Sequence, residues 1–539
     1  MQPFCGLYAG LMIHPASCTL SIMQKGFLGI DAGTQGLSVM LADERMRVIA
    51  TGAGGYAMVS GLGEGDYEQR PADWERALHE AMVALRAECR AIGHSWKIQA
   101  IGISGQMHGE VLADDQGRAL GSARLWCDAR NEAEGAELTE RLGVKMPKRI
   151  TAARWLWTQR HQPDKAARVA HITTPGGWLA YRLTGEWTLG IGDASGMFPI
   201  DPQTLDYDKD RLRSYDALTP ADLPRLSDLS PRVRQAGDDA GVLTAEAAQW
   251  LDLEAGIPVA PAEGDQPAAL AGSLIGDAGM VSVSLGTSVC ANAVGDRAFE
   301  GVHAAIDHFC AADGKPINMV WLRNGTTFMN AVVEMFGGVL GGHREAGFGA
   351  VIPLVLEAPA DCGGLLALPF MDDEPGLGVS RGGAAMLYGL NATNATPGNA
   401  AKAALLATLF NLRVGLDELK RQGFPVSELV LSGGLVRDAS LSQIVADALT
   451  TPAFVLHSAI EGSAWGAALL AKYRWLNISG EAPEWSAFLQ DHAADAPQRF
   501  MPGVGARPVY DQAYTRYLRL LNVWPTLADA MDDTGKANS

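Results

Sequence analysis

Cysteine is scarce. Seven cysteines in 539 residues, with no C-x-x-C pair, exclude a disulfide scaffold and a zinc-cysteine cluster. Their odd number and scatter suit reduced thiols in a cytosol. No apolar run reaches the 18 or more residues of a membrane span. The first 22 residues have no Lys or Arg, so they lack the positive region of a signal peptide. Positive charge is also in deficit. With 43 Lys and Arg against 61 Asp and Glu, the net charge is −18, which disfavours nucleic acid or an anionic membrane as a partner. No G-x-x-x-x-G-K-[ST] is present, which excludes a P-loop. No G-x-G-x-x-G follows a strand pattern, which weakens a dinucleotide-binding reading.

What is present is core material. Hydrophobic residues make up 47% of the chain and charged residues 19%, so the chain is not disordered, and its length allows two to four domains. Strand and helix patterns alternate to about residue 260, an α/β arrangement. Phe27 to Asp31 reads as a strand, Ala32 to Gly36 as a glycine-rich turn, and Leu37 to Leu41 as the returning strand. A helix is expected within 66–93, with Trp74, Leu78, Met82, Leu85 and Cys89 on one face. Strands are predicted over Gln99–Ser104 and Ile257–Ala260, and a small-residue helix from Pro267. Residues 201–240 read as short helices and loops.

Met280 to Val294 looks like the opening again: strand, Gly286-Thr287-Ser288 turn, strand. The pairs Gly33-Thr34 and Gly286-Thr287 point either to an internal duplication or to two unrelated hairpins. Further on come an amphipathic helix carrying Leu405 to Leu419, a strand ending in Ser432-Gly433-Gly434, and helices over 440–449 and 510–521. Gly462 and Gly466 fall on one helical face, which permits close backbone approach.

The chemistry gathers at these turns. Glycine turns expose main-chain N–H groups to phosphate oxygens, and Thr34 and Thr287 add hydroxyls. Asp31 beside the first turn would repel phosphate unless a divalent cation lies between, which fits Mg²⁺ with ATP; otherwise Asp31 only satisfies turn N–H groups. Asp265, after Gly264 and where a helix should begin, is either a general base for a hydroxyl or an N-cap. His108, in the loop Gly105 to Gly109, is either a ligand contact or a structural histidine. Ser432-Gly433-Gly434 is either a ligand approach or a tight turn.

Five motifs in order resemble the FGGY carbohydrate kinases: Asp31-Ala32-Gly33-Thr34-Gln35, Gly105-Gln106-Met107-His108-Gly109, Gly264-Asp265-Gln266-Pro267-Ala268-Ala269, Ser284-Leu285-Gly286-Thr287-Ser288 and Ser432-Gly433-Gly434. The match runs over about residues 25–475. Within the family it looks most like the xylulose kinases, through the sugar-loop motif at 105–109, Leu125 to Arg130, and Asp193-Ala194-Ser195. The resemblance implies an α/β chain with two actin-like (ribonuclease-H-like) domains and a ligand cleft between them, binding ATP, Mg²⁺ and a sugar. It implies Asp265 as general base, and Asp31 with Asp265 on the metal side. Gln106, Met107, His108, Trp126, Asp128, Arg130 and Asp265 would face the sugar. Gly33, Thr34, Gln35, Gly286, Thr287, Ser288, Gly433 and Gly434 would face ATP.

The chain departs from the family pattern in two places. Ala153 to Trp157 stands where Lys-Leu-x-Trp is usual, and Phe370 to Pro375 replaces a Gly-Glu-Arg-Thr-Pro-like loop. The expected layout is an extension at 1–22 outside the fold, a sugar-side domain at 23–262, a nucleotide-side domain at 263–475 and a helical extension at 476–539. The expected activity is cytoplasmic phosphorylation of the terminal hydroxyl of a ketopentose, D-xylulose first. The alternatives are L-xylulose, D-ribulose, another polyol or a sugar acid, a non-catalytic sugar sensor, and an actin-like assembly protein. The partners are small molecules, with no nucleic acid and no membrane; a homodimer is an open option.

Overall fold

A computed structural model describes residues 24–527, apart from 94, 341–343, 438, 457–461 and 493–496. The expected extension at 1–22 lies outside the described residues. Two sheets form the frame. The first contains β1 (Gln24–Ala32), β2 (Gly36–Asp43), β3 (Val48–Gly55), β4 (Trp96–Gly105) and β5 (Glu263–Gly264). The second contains β6 (Gly279–Leu285), β7 (Val289–Val294), β8 (Ile306–Cys310), β9 (Pro316–Leu322), β10 (Val426–Ser432), β11 (Ala453–Val455) and β12 (Gln498–Phe500). Five helices matter below: α1 (Pro71–Ala91), α2 (Ile191–Met197), α3 (Asp265–Gly272), α4 (Pro397–Arg421) and α5 (Gly462–Ser479).

The first sheet runs β5-β4-β1-β2-β3 and the second β8-β9-β7-β6-β10-β11-β12. In the first, β1 to β3 form an antiparallel meander, and β4 and β5 add parallel to β1. In the second, β6, β7 and β9 repeat the meander, and β10 and β11 repeat the parallel pair. The Gly33-Thr34 and Gly286-Thr287 turns therefore occupy the same place in two copies of one topology.

The central strands are apolar on both faces because helices cover both. Phe27, Leu28 and Ile30 are fully buried. Helix α4 is buried along most of its length and forms the centre of the second core. Helix α5 lies so close to the first sheet that only glycine fits beneath it. A Cβ on Gly29 would sit 2.0 Å from the Ala464 carbonyl, and one on Gly102 1.8 Å from that of Ala467. On its other side, a Cβ on Gly466 would lie 1.9 Å from the Ala268 carbonyl of α3. Gly462, expected on the same packing face, instead opens the helix at φ +69° with no atom near its Cβ position.

Two further expectations are corrected. Ile257–Ala260 is not a strand of the ladder. It makes only isolated bridges, at Val259 to β4 and at Pro258 to Val242, and Glu263–Gly264 pairs instead. Pro258, just before Val259, and Pro261, two residues after it, have no N–H to donate. The following helix begins at Asp265 rather than Pro267, with Gly264 as its N-cap.

Candidate active site

The first hairpin turn and the sugar-loop motif meet at the carboxyl ends of β1 and β4. Gly33 N–H closes the turn on the Gly36 carbonyl at 3.0 Å, and the Tyr56 hydroxyl donates to both turn carbonyls. Gln106 N–H donates to the Ala32 carbonyl at 2.8 Å, which ties the sugar loop to the turn. The Thr34 hydroxyl donates to Gln106 Oε1 at 3.3 Å and accepts from Trp126 Nε1 at 3.1 Å. Gln69, unforeseen from sequence, is the hub beneath them. Its amide donates to the Thr34 carbonyl, and its Oε1 accepts from Gln106 and Trp74. Thr34, expected on the ATP side, thus sits with Gln106 and Trp126, while Gln35 is exposed.

Met107 and His108 are buried, and glycines make room for them. A Cβ on Gly264 would lie 2.3 Å from Met107 Cγ, and one on Gly196 2.8 Å from His108 Nδ1. His108 adopts φ +67°, held because its carbonyl accepts from Thr151 Oγ1 and Arg154 Nη1, both at 3.1 Å. Its Nδ1 faces the Gly196 carbonyl at 2.8 Å, so Nδ1 carries the proton and Nε2 is an acceptor. Burial, then the Arg149 charge, pushes its pKa down to about 3, so the ring is neutral at physiological pH. Arg154, from the first departure segment, is therefore the support behind His108.

Asp128 and Arg130 turn on each other. Arg130 pairs with Asp128 and with Glu68, both at 2.6 Å, and Tyr67 N–H donates to Asp128 at 3.0 Å. They stabilise the loop that presents Trp126, which is 38% exposed.

The carboxylates form a chain. Asp31 accepts from Ser104 Oγ at 2.9 Å, and burial raises its pKa. Asp265 is half-buried and accepts main-chain N–H bonds from Gln266 and Met107, yet its pKa is pushed up to about 7. Burial is the larger cause and the Asp31 charge the second. Behind it lie Asp193 and Glu263, both buried and both pushed up to about 8. Asp193 accepts from Thr174 Oγ1, and its N–H donates to Glu263 at 2.9 Å. The partners that hold Asp31 and Asp265 are neutral, which leaves two carboxylates near enough for one charge to act on the other. That donor set suits a hard divalent cation shared with phosphate oxygens and water. Among the described residues no cluster of three or more His, Cys, Asp or Glu forms a closed metal cage.

In the second domain Gly286, Thr287 and Gly434 line a cavity of about 720 Å³. Ser288 is exposed beside them. Gly433 lies at φ +95°, with its Cβ position 2.6 Å from the Leu285 carbonyl, so it shapes the turn while Gly434 remains open to the cavity. Thr326 and Asn330 also line this space, with Phe348, Ile352 and Leu356 on its apolar side. These were missed, although Gly325-Thr326 after β9 repeats the Gly-Thr signature. Gly325 is forced, since its Cβ would lie 2.4 Å from the Gly286 carbonyl. The second departure loop supports it: Glu374 accepts from Arg323 N–H at 3.1 Å and Asn324 N–H at 2.9 Å.

Two like sheets, a carboxylate at a helix start and a glycine-lined cavity define a two-domain α/β kinase fold of the actin-like, ribonuclease-H-like type. The chain belongs to the FGGY family of carbohydrate kinases: the family's N-terminal domain model matches residues 27–272 and its C-terminal domain model residues 281–475. It is similar to the xylulose kinase of Haemophilus influenzae, 27% identical over 511 residues, covering 92% of this chain and 99% of the relative. It is also similar to the xylulose kinase of Streptomyces coelicolor, 31% identical, covering 78% of this chain and 82% of the relative. The crystal structure of a xylulose kinase from Rhodospirillum rubrum, 22% identical, superposes with a TM-score of 0.80 over 93% of this chain and 99% of that one. Among the described residues no helix is long and apolar enough to cross a membrane.

Proposed function

We propose that the protein transfers the γ-phosphoryl group of ATP to the terminal hydroxyl of D-xylulose, giving D-xylulose 5-phosphate, with Asp265 as the general base. The observation that carries this reading is Asp265 itself, a half-buried carboxyl, tied to the sugar loop through Met107 N–H and poised near neutrality. The kinship to xylulose kinases supports the choice of sugar.

The sugar lies against Gln106, Met107, His108 and Trp126. His108 Nε2 accepts from a sugar hydroxyl, and the indole of Trp126 covers a sugar face. The hydroxyl to be phosphorylated donates its proton to the ionised Asp265 as its oxygen forms a bond to the γ-phosphorus. The bond from that phosphorus to the ADP oxygen breaks, and ADP leaves with the electron pair. Asp265 later returns the proton to solvent. Gly286, Thr287 and Gly434 hold the nucleotide, with Thr326 and Asn330 as further polar contacts. Asp31 and Asp265 are the residues that would hold Mg²⁺, which neutralises phosphate charge when bound. A cytosolic setting, which supplies ATP and Mg²⁺, goes with this reading. The test is turnover of D-xylulose with identification of the phosphorylated carbon. Phosphate at C5 supports the reading, and no turnover opposes it.

A further inference from the structure

The strand β8 is the edge of the second sheet, yet it is not bare. The hairpin β8–β9 reaches across to the first domain and docks there at several points. Cys310 N–H, on the sheet edge, donates to Ser195 Oγ of α2 at 2.9 Å. Ala236 N–H donates to the Ala312 carbonyl at 2.7 Å. Gly314, at the hairpin tip, lies against Leu205 and Ile191. Asp307 is 5% exposed and pairs with two cations of the first domain, Lys145 at 2.9 Å and Arg149.

Asp307 and Phe309 are two residues apart on β8, so their side chains leave the strand on the same face. Phe309 packs its ring on His108, with centroids 5.4 Å apart and planes at 44°. The Arg149 guanidinium lies 6.0 Å from the centre of the Phe309 ring, so one arginine bridges the Asp307 carboxylate and that ring. His108 is thus gripped from two sides: the Gly196 carbonyl of its own domain holds Nδ1, and Phe309 of the other domain holds the ring.

We propose that Asp307 is a positioning residue for the sugar. Through Arg149 and Phe309 it fixes the His108 ring, so the nucleotide-side domain supplies one wall of the sugar site. This rests on the reading of His108 as a sugar contact. Without the Asp307 charge, Lys145 and Arg149, whose side chains are 17% and 19% exposed, turn toward water. Phe309 loses its cover and the His108 ring gains freedom. Asp265 is held by β5 and α3, and the nucleotide cavity is built from other elements, so neither moves.

The experiment compares steady-state kinetics of Asp307→Asn, Asp307→Glu, His108→Ala and the double variant Asp307→Asn/His108→Ala in the full chain, with D-xylulose and ATP varied separately. Asp307→Asn is expected to raise the sugar KM about tenfold, with kcat and the ATP KM within twofold, and Asp307→Glu to recover most of the loss. The double variant is expected to be no worse than His108→Ala alone, because both act through one contact. If Asp307→Asn does not fold, Arg149→Gln, which leaves Lys145 paired to Asp307, is expected to show the same split. A raised sugar KM in His108→Ala with none in Asp307→Asn or Arg149→Gln would overturn the positioning role and leave the sugar reading standing. Additive losses in the double variant, or equal rises in both KM values, would also overturn it. No loss in either single variant would overturn both readings.

Discussion

Replacing Asp265 by Asn should make the protein slower and more stable at once. The two effects come from the same source. Burial and the Asp31 charge hold the Asp265 carboxyl near 7, against an ordinary value of 3.8. The ionised form therefore carries on the order of 2–4 kcal/mol of unfavourable free energy in the folded protein, after allowing for its partial exposure. For a group raised in this way, the stabilising contribution is present below 3.8 and is lost as pH rises through about 7. Asn cannot ionise, so the variant escapes that loss. Its melting temperature at pH 8 should exceed the parent's by a few degrees, and the gain should shrink toward pH 5. Activity should move the other way. Losing a general base costs about 10²–10⁴ in rate, or about 3–5 kcal/mol of barrier. Positioning and charge neutralisation, which carry most of phosphoryl transfer, survive. Coupled ADP-release assays and thermal melts across pH 5–9 on the same preparations read both effects. The N-cap alternative is weakened because Gly264 occupies that position and Asp265 is already the first helical residue. A kcat within tenfold of the parent would refute the base. A lower melting temperature at pH 8 would refute the origin assigned to its raised pKa.

Asp31→Asn removes the charge that raises Asp265, so the acidic limb of kcat/KM against pH should move to lower pH; an unmoved limb would separate the two carboxylates. His108→Ala should raise the sugar KM at least about tenfold with the ATP KM unchanged, and because the His108 pKa is pushed down to about 3, the parent's sugar affinity should show no histidine titration between pH 5 and 8. Gly434→Leu should raise the ATP KM at least tenfold while leaving melting unchanged, since a Cβ at Gly434 meets nothing within 4 Å and the side chain can enter the nucleotide cavity. Gly466→Ala should instead destabilise the whole fold by several kcal/mol, because its Cβ would lie 1.9 Å from a main-chain carbonyl that cannot step aside; unaltered melting would contradict the close crossing of α3 and α5.

The motifs that were legible lie where a glycine interrupts a strand. Asp31 to Gln35 and Leu285 to Ser288 are short-range signals, and both fall at turns that repeat one topology. Asp265 stands out in the sequence for its place after a glycine, although the reason for that glycine, room for the Met107 side chain, is a contact between positions 264 and 107 and invisible in sequence. Ile257–Ala260 reads as a strand from its apolar run, but with prolines at 258 and 261 it makes only isolated bridges, at Val259 to Ile101 and at Pro258 to Val242. Asp128 and Arg130 showed charge but not pairing, which depends on Glu68 and Tyr67 from a distant loop. Gln69, Asn330 and Asp307 carried no local signal at all. Only long-range packing brings each of them beside Thr34, Gly434 or Arg149.

The most direct measurement is ADP release by the purified full chain with Mg²⁺, ATP and a panel of D-xylulose, L-xylulose, D-ribulose, xylitol and gluconate, with the product identified by phosphorus-carbon coupling in NMR. The expected result is the highest kcat/KM with D-xylulose, phosphate on C5, and loss of turnover when EDTA removes Mg²⁺. Turnover of another acceptor with a tenfold higher kcat/KM would contradict the choice of sugar, and no sugar-dependent ADP release with any acceptor would contradict the account as a whole.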